Sequence, residues 1–333
     1  MKAKDIIIRI LKKIYRKISN KSFQPPKCNC NRQSSNDEVY DLLALGKPCM
    51  IARFGTTELT CLVNYIAVHK KAPFIKKYWE YISGYCGTPW WNESHFQTMS
   101  LWSGIFPPTQ DTAERFSQRY MKDIPLIDLL ACHQYTECHM PLRNDIKRVQ
   151  LEMLYPFFVE RPWTRILKGK KVLVIHPFEE TIKTQYAKRK LLFDNEDILP
   201  DFELKTLKAV QTVANTKSEF KNWFEALQWM ENAVNQIDFD IAIIGCGAYG
   251  LPLAAHIKRI GKQAIHMGGG TQLMFGILGN RWVKEYPSKK IWHYRDLEIN
   301  IDYTSLFNSN WIYPLECDTI KNAQAVEGAC YWK

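Results

Sequence analysis

The stretch Phe239–Trp282, FDIAIIGCGAYGLPLAAHIKRIGKQAIHMGGGTQLMFGILGNRW, holds the clearest structural signal in the chain. A short apolar run, Ile241 to Ile244, breaks at Gly245, Gly247 and Gly250. It resumes as a helical pattern at Leu251, Leu253, Ala254, Ile257 and Ile260. A second apolar segment, Gln263 to Met267, ends in Gly268, Gly269 and Gly270. Strand, glycine turn, helix, strand and glycine turn make a βαβ unit, which predicts an α/β fold with a mostly parallel sheet and helices on both faces. Glycine allows close approach of the backbone to a ligand, and a helix N-terminus offers free N–H groups and partial positive charge to an anion. Both turns fall at the carboxyl ends of strands, where open parallel sheets bind ligands, so a phosphate-bearing ligand is expected. The spacing Gly245-x-Gly247-x-x-Gly250 resembles the dinucleotide fingerprint, but that fingerprint also wants an acid about 20 residues on. Ile265, His266 and Met267 stand there, so a Rossmann-like unit serving another ligand is preferred to NAD.

Just before this unit, Ser218–Val234 reads as an amphipathic helix whose Phe220, Trp223, Phe224, Leu227, Met230 and Val234 form a core stripe. Lys170–His176 is a buried strand with His176 at its carboxyl end, a position suited to a base or a phosphate donor, and Leu204–Val213 is a further strand candidate. Cys49–Phe54 reads as a strand ending at Gly55 and Thr56–Val68 as the following helix, so Arg53 and Glu58 flank a strand-to-helix turn. Asp37–Leu45, Thr112–Tyr120 and Asn144–Tyr155 read as helices. The aromatic-rich segment 74–134 reads mainly as core, with Trp90 and Trp91 as candidates to stack on a sugar ring. After Trp282, loops and short helices are expected.

The 333 residues carry a formal net charge of +11, but the excess is local. Residues 1–22 hold eight Lys/Arg against one acid, while the remainder holds 37 basic and 33 acidic residues, so no nucleic-acid partner is expected. In residues 1–22 Ile7, Leu11, Ile14 and Ile18 recur at helical spacing, with Arg9, Lys12, Lys13 and Arg16 opposite. This basic amphipathic helix suits an anionic membrane surface, against the alternative of packing on the domain. Residues 23–36, with Pro25, Pro26 and the run NCNRQSSN, read as a linker, and residues 37–333 as one catalytic domain. The ten scattered cysteines read as reduced thiols, and no apolar run approaches the roughly 20 residues that span a bilayer.

Arg53-Phe54-Gly55 ending one strand, Glu58 three residues later, and the run His266-Met267-Gly268-Gly269-Gly270 together resemble the GT-D-fold glycosyltransferases. These are single-domain Rossmann-like enzymes that transfer a sugar from a nucleotide-sugar. The family's first turn reads Arg-Phe-Gly-Asp-x-Glu, and its carboxylate pair is associated with a divalent metal. Here Thr56 occupies the Asp position, so the Mn²⁺ or Mg²⁺ that the resemblance implies would lack one of its carboxylates. The chain is also similar to GT-D-like proteins of capsule and O-antigen polysaccharide gene clusters. With them it shares the Gly247–Gly250 turn, the His266–Gln272 run and the late stretch Val326–Trp332.

The resemblance implies a cytoplasmic glycosyltransferase, peripheral on the inner face of the membrane, moving a sugar from a nucleotide-sugar donor to a lipid-linked glycan acceptor in surface polysaccharide assembly. Glu58 is the candidate base or metal ligand, and Arg53 and His176 are the candidate phosphate-stabilising groups. Gly55, Thr56, Gly245, Gly247, Tyr249, Gly250, His266, Gly268, Gly269, Gly270 and Gln272 are expected to line the nucleotide-sugar site, with Arg281 as a further phosphate ligand. The rivals are a nicotinamide-dependent oxidoreductase or epimerase, and a non-catalytic membrane-tethered scaffold.

Overall fold

The computed structural model describes residues 3–19, 23–285 and 291–333. Seven strands form one sheet: β1 (Cys49–Ala52), β2 (Leu129–Cys132), β3 (Lys147–Gln150), β4 (Lys171–His176), β5 (Glu203–Lys208), β6 (Ile241–Ile244) and β7 (Gln263–His266). Their order is β3-β2-β1-β7-β6-β4-β5, and every pair is parallel. β1, β6 and β7 are buried at all positions, whereas the edge strands β3 and β5 are partly exposed. That is why the central strands read as unbroken apolar runs: covered on both faces, they have no solvent side to write in polar residues.

The crossovers supply the helices. α1 (Ala3–Ile18) and α2 (Arg32–Ala44) precede β1. α3 (Thr56–His69), α4 (Phe74–Ile82), α5 (Glu93–Ser103) and α6 (Gln110–Asp123) join β1 to β2. α7 (Glu179–Tyr186) joins β4 to β5, α8 (Trp223–Val234) joins β5 to β6, α9 (Gly250–Arg259) joins β6 to β7, and α10 (Gly270–Met274) follows β7. The α/β, Rossmann-like parallel sheet is thus the fold. α8 starts at Asn222 rather than Ser218 because the Asn222 carboxamide accepts from the Phe224 and Glu225 amides, each at 3.0 Å. α9 packs on β7 and β1 and is buried along most of its length. The Gln263 carboxamide donates to the carbonyls of Leu43 and Lys47 at 2.9 and 3.0 Å, tying the end of α2 to β7.

Four expectations change. Residues 23–36 are packed: Asn29 bridges to Val149 and extends the sheet edge, donating to the Arg148 carbonyl at 2.9 Å and accepting from Gln150 at 2.8 Å. The polar run that read as a linker is a helix start, since Asn31 caps α2 by accepting from the Ser34 amide. Asn144–Tyr155 is not a helix. Ile146, Val149 and Met153 have helical spacing, but pairing of β3 with β2 overrides it, and a short 3₁₀ turn follows at Leu151–Leu154. The strand at 204–213 ends at Lys208. The late chain contains an antiparallel hairpin, β8 (Ile291–Tyr294) and β9 (Leu297–Asn300), where loops and short helices were expected. Of the N-terminal helix, residues 3–18 are helical, while residues 1–2 and 20–22 lie outside the described residues.

Candidate functional site

β4 leads outward to β5 while β6 leads the other way to β7, so their crossovers diverge between two adjacent strands. Such a switch point opens a crevice beyond the carboxyl ends of the strands. A cleft of about 1110 Å³, its open mouth included, lies there, with the ends of β1 (Arg53), β7 (His266), β6 (Gly245) and β4 (His176) along its floor. Arg53, Gly55, Thr56, Glu58, His176, Gly245, Gly247, Tyr249, His266, Gly268, Gly269, Gln272 and Arg281 all line it.

The chemistry centres on the turn after β1. Gly55 is the N-cap of α3 and brings no side chain, and Glu58 is the third residue of that helix. A Cβ on Gly55 would sit 1.8 Å from Glu58 Oε2, so the carboxyl folds back over the turn into space only glycine leaves open. Glu58 is only 6% exposed. Burial pushes its pKa above the usual carboxylate range, against which its own amide, the Arg53 charge and the Ser103 hydroxyl pull downward. Arg53 forms no ion pair among the described residues, and its buried Nε has no hydrogen-bond partner there. A guanidinium left in that state beside a cleft is suited to receive an anion from outside the chain.

Two buried imidazoles face the same space, and their neighbours fix their protons. The Phe178 amide donates to His176 Nδ1 at 3.0 Å, so that nitrogen is unprotonated and the neutral ring carries its hydrogen on Nε2. Burial lowers the His176 pKa to about 3. Of the two roles open to His176, base or phosphate donor, this leaves the neutral N–H donor. His266 is the converse case: Nδ1 lies 3.3 Å from the Ile244 carbonyl and holds the proton, leaving Nε2 as an acceptor. Burial, reinforced by the Arg53 charge, brings its pKa to about 3.

Other expected ligands turn out to be structural. Gly250 and Gly270 do not line the cleft: a Cβ on Gly250 would meet the His266 ring at 2.1 Å, and one on Gly270 the Tyr155 ring at 2.1 Å. Both are glycine so that a ring can pack against the backbone. Gly247 is suited to a ligand's close approach, with φ of +55° and nothing within 4 Å of its absent side chain. Tyr249 stacks on Trp223, centroids 5.1 Å apart with rings nearly parallel. The Gln272 carboxamide is committed to backbone, donating to Ile277, Leu278 and Tyr331 carbonyls at 3.3, 3.1 and 3.4 Å. Arg281 is paired with Glu327 and donates to the Tyr331 hydroxyl at 3.2 Å. Arg281 thus lines the cleft and at the same time clasps the C-terminal segment.

That segment is the part of the site that sequence reasoning missed. Val326, Glu327, Tyr331 and Trp332 line the cleft, as do Trp102 and Ser103 at the end of α5 and Val210–Val213 after β5. Backbone bonds from Asn280 to Trp332 (2.9 Å) and from Arg281 to Cys330 (3.0 Å) hold the chain end in place. The dense pair Tyr331-Trp332 was the available signal.

A divalent metal does not fit these residues. The carboxylates at the cleft are Glu58, whose burial favours its neutral form, and Glu327, already paired with Arg281. Thr56 Oγ1 accepts from the Gln134 carboxamide at 2.7 Å. Among the described residues no group of three or more His, Cys, Asp or Glu side chains is arranged to hold an ion. Mg²⁺ and Mn²⁺ favour several hard oxygen ligands, which this donor set does not provide. Searches of protein-family models, of curated proteins and of solved structures each find no match to the chain.

Proposed function

We propose that this protein is a glycosyltransferase that moves a sugar from a nucleotide-sugar donor to a glycan acceptor, lipid-linked and presented at a membrane surface, in surface polysaccharide assembly. The observation that supports it most is that one switch-point cleft brings Arg53, whose buried Nε has no hydrogen-bond partner among the described residues, near the buried Glu58 carboxyl, beside a positive-φ glycine turn and a neutral histidine donor. In this reading the acceptor hydroxyl attacks the anomeric carbon as the bond to the diphosphate oxygen breaks. Glu58 takes the hydroxyl proton, and its raised pKa brings it closer to the range where a carboxylate base is effective near neutral pH. Arg53 and His176 Nε2–H stabilise the negative charge that develops on the leaving diphosphate. The floor of the cleft orients the donor, and Tyr331 and Trp332 offer it aromatic walls.

The nicotinamide reading has less support, because the end of β7 carries His266 where a ribose-binding acid would be needed. The experiment is a thermal-shift titration with UDP-, GDP- and CMP-sugars and with NAD(H), each with and without Mn²⁺. Stabilisation by a nucleotide-sugar is expected. Stabilisation by NAD(H) alone would replace the proposal with an oxidoreductase, and a flat response to every ligand would favour a scaffold. The membrane half of the reading rests on α1, and removal of residues 1–22 should release the protein from anionic membranes.

A further inference from the structure

α1 is packed in a way that a water-exposed helix is not. It meets α4 through Tyr15, which makes an edge contact with Trp79 at 5.3 Å, and through Lys12, whose ammonium lies 3.9 Å from the Tyr81 ring. Its apolar row, Ile7, Leu11, Ile14 and Ile18 with Ile6 and Ile10 beside it, points away from the protein, and Ile18 is 77% exposed. A helix docked for stability alone would turn that row inward.

α4 repeats the arrangement. Of its residues only Tyr81 is buried, while Phe74, Ile75 and Trp79 are exposed, Ile75 at 81%. The helix is nevertheless fixed. Lys77 donates to the Val68 carbonyl at 3.0 Å and Lys70 pairs with Glu80 at 2.7 Å, pinning α4 to the end of α3 remote from the cleft. Exposed cations accompany both apolar rows, Lys13, Arg16 and Lys17 on α1 and Lys71 and Lys76 at α4. Exposed apolar rows on two helices in contact, each with a basic fringe, fit an anionic bilayer, the apolar groups entering the headgroup boundary and the cations meeting lipid phosphates. Trp79 suits that boundary, where an indole has both apolar and wet surroundings. A second copy of the chain is a poorer occupant, since it would bring the same cations against these.

We infer that α1 and α4 form one membrane-docking face, in which Phe74, Ile75 and Trp79 enter an anionic bilayer beside the outward row of α1. This rests on the membrane-surface reading of α1 and extends it to a second, separate element. It is independent of any donor sugar.

Co-sedimentation of the full chain with vesicles tests it, using phosphatidylcholine alone and phosphatidylcholine mixed with phosphatidylglycerol at about three to one. Two variants are compared with wild type: Phe74→Ser/Ile75→Ser/Trp79→Ser in α4, and Leu11→Ser/Ile14→Ser in α1. Wild type should partition onto the mixed vesicles at least about 10-fold better than onto the neutral ones, and each variant should lose about 10-fold or more on the mixed vesicles. Loss in the α1 variant with none in the α4 variant overturns the inference and leaves the α1 reading standing. No loss in either removes both. Equal binding of wild type to both vesicle types overturns the anionic assignment. A lipid-free wild-type dimer that the α4 variant converts to monomer makes the occupant a second copy instead. Should the triple variant melt early, Ile75→Ser alone carries the test, with a drop of about 3-fold expected from one exposed side chain.

Discussion

Acidification should unfold this protein through His176 and His266 in particular. Both rings are buried, with pKa values near 3 in the fold against an ordinary 6.5. The folded state therefore binds fewer protons than the unfolded chain, and the stability tied to each neutral ring is complete above about pH 6.5 and lost as pH falls toward 3. At about pH 4.5 an unfolded imidazole favours its charged form about 100-fold while the folded ring stays neutral, which costs roughly 2–3 kcal/mol per ring and about 5 for the two. That is comparable with the entire stability of many domains, roughly 5–15 kcal/mol. Glu58 works in the opposite sense, since its raised pKa makes its contribution largest at low pH and diminishing as pH rises. The two histidines are isolated by the variant His176→Asn/His266→Asn. The carboxamide can still accept from the Phe178 amide at the first site and donate to the Ile244 carbonyl at the second. Urea unfolding followed by tryptophan fluorescence at about pH 7.5, 5.5 and 4.5 is the assay. Wild type should lose about 5 kcal/mol more than the double variant across that range, with roughly half of the difference already present near pH 5.5. Stability curves that run parallel to within about 1 kcal/mol would refute the claim that both rings are held neutral by burial.

Glu58→Gln should reduce sugar transfer by at least about 100-fold while donor binding and the melting temperature stay near wild type; undiminished turnover would exclude Glu58 as the base. For the wild-type protein the proposed transfer should speed up as pH climbs through a value above the usual glutamate pKa, because the carboxylate is the working form and burial delays its ionisation. Arg53→Met should weaken nucleotide diphosphate binding about 10-fold or more in calorimetric titration with little loss of stability, since the guanidinium Nε has no hydrogen-bond partner among the described residues. Unaltered affinity would mean that Arg53 does not touch phosphate. Gly250→Ala should destabilise the fold by about 1–3 kcal/mol, because the new methyl would press on the His266 ring. Gly247→Ala, in open space with φ of +55°, should cost only the roughly 1 kcal/mol of left-handed backbone. Equal denaturation midpoints for the two would contradict the separate roles assigned to these glycines.

The parts legible in the sequence were those whose signal is local. Ile241–Ile244, the glycines after it and the apolar stripe of α9 carry strand and helix periods within some twenty residues, and Lys171–His176 and Cys49–Ala52 are apolar because both faces of a central parallel strand are covered. Asn29, Asn31 and the β3 segment were misread because a polar run serves a linker and a helix cap equally well, and because Val149 pairs with β2 against its own helical spacing. Sequence alone determined a Rossmann-like βαβ core, a strand-to-helix turn bearing Arg53 and Glu58, and an N-terminal amphipathic helix. Long-range packing placed β1 beside β7, which brings Arg53 to His266 across more than two hundred residues. It also decided which histidine nitrogen carries the proton, that Arg281 is spent on Glu327, and that the chain end returns to wall the cleft. Periodicity records which face of an element is buried, whereas strand order, ring contacts and proton positions depend on partners distant in the chain, which no local pattern encodes.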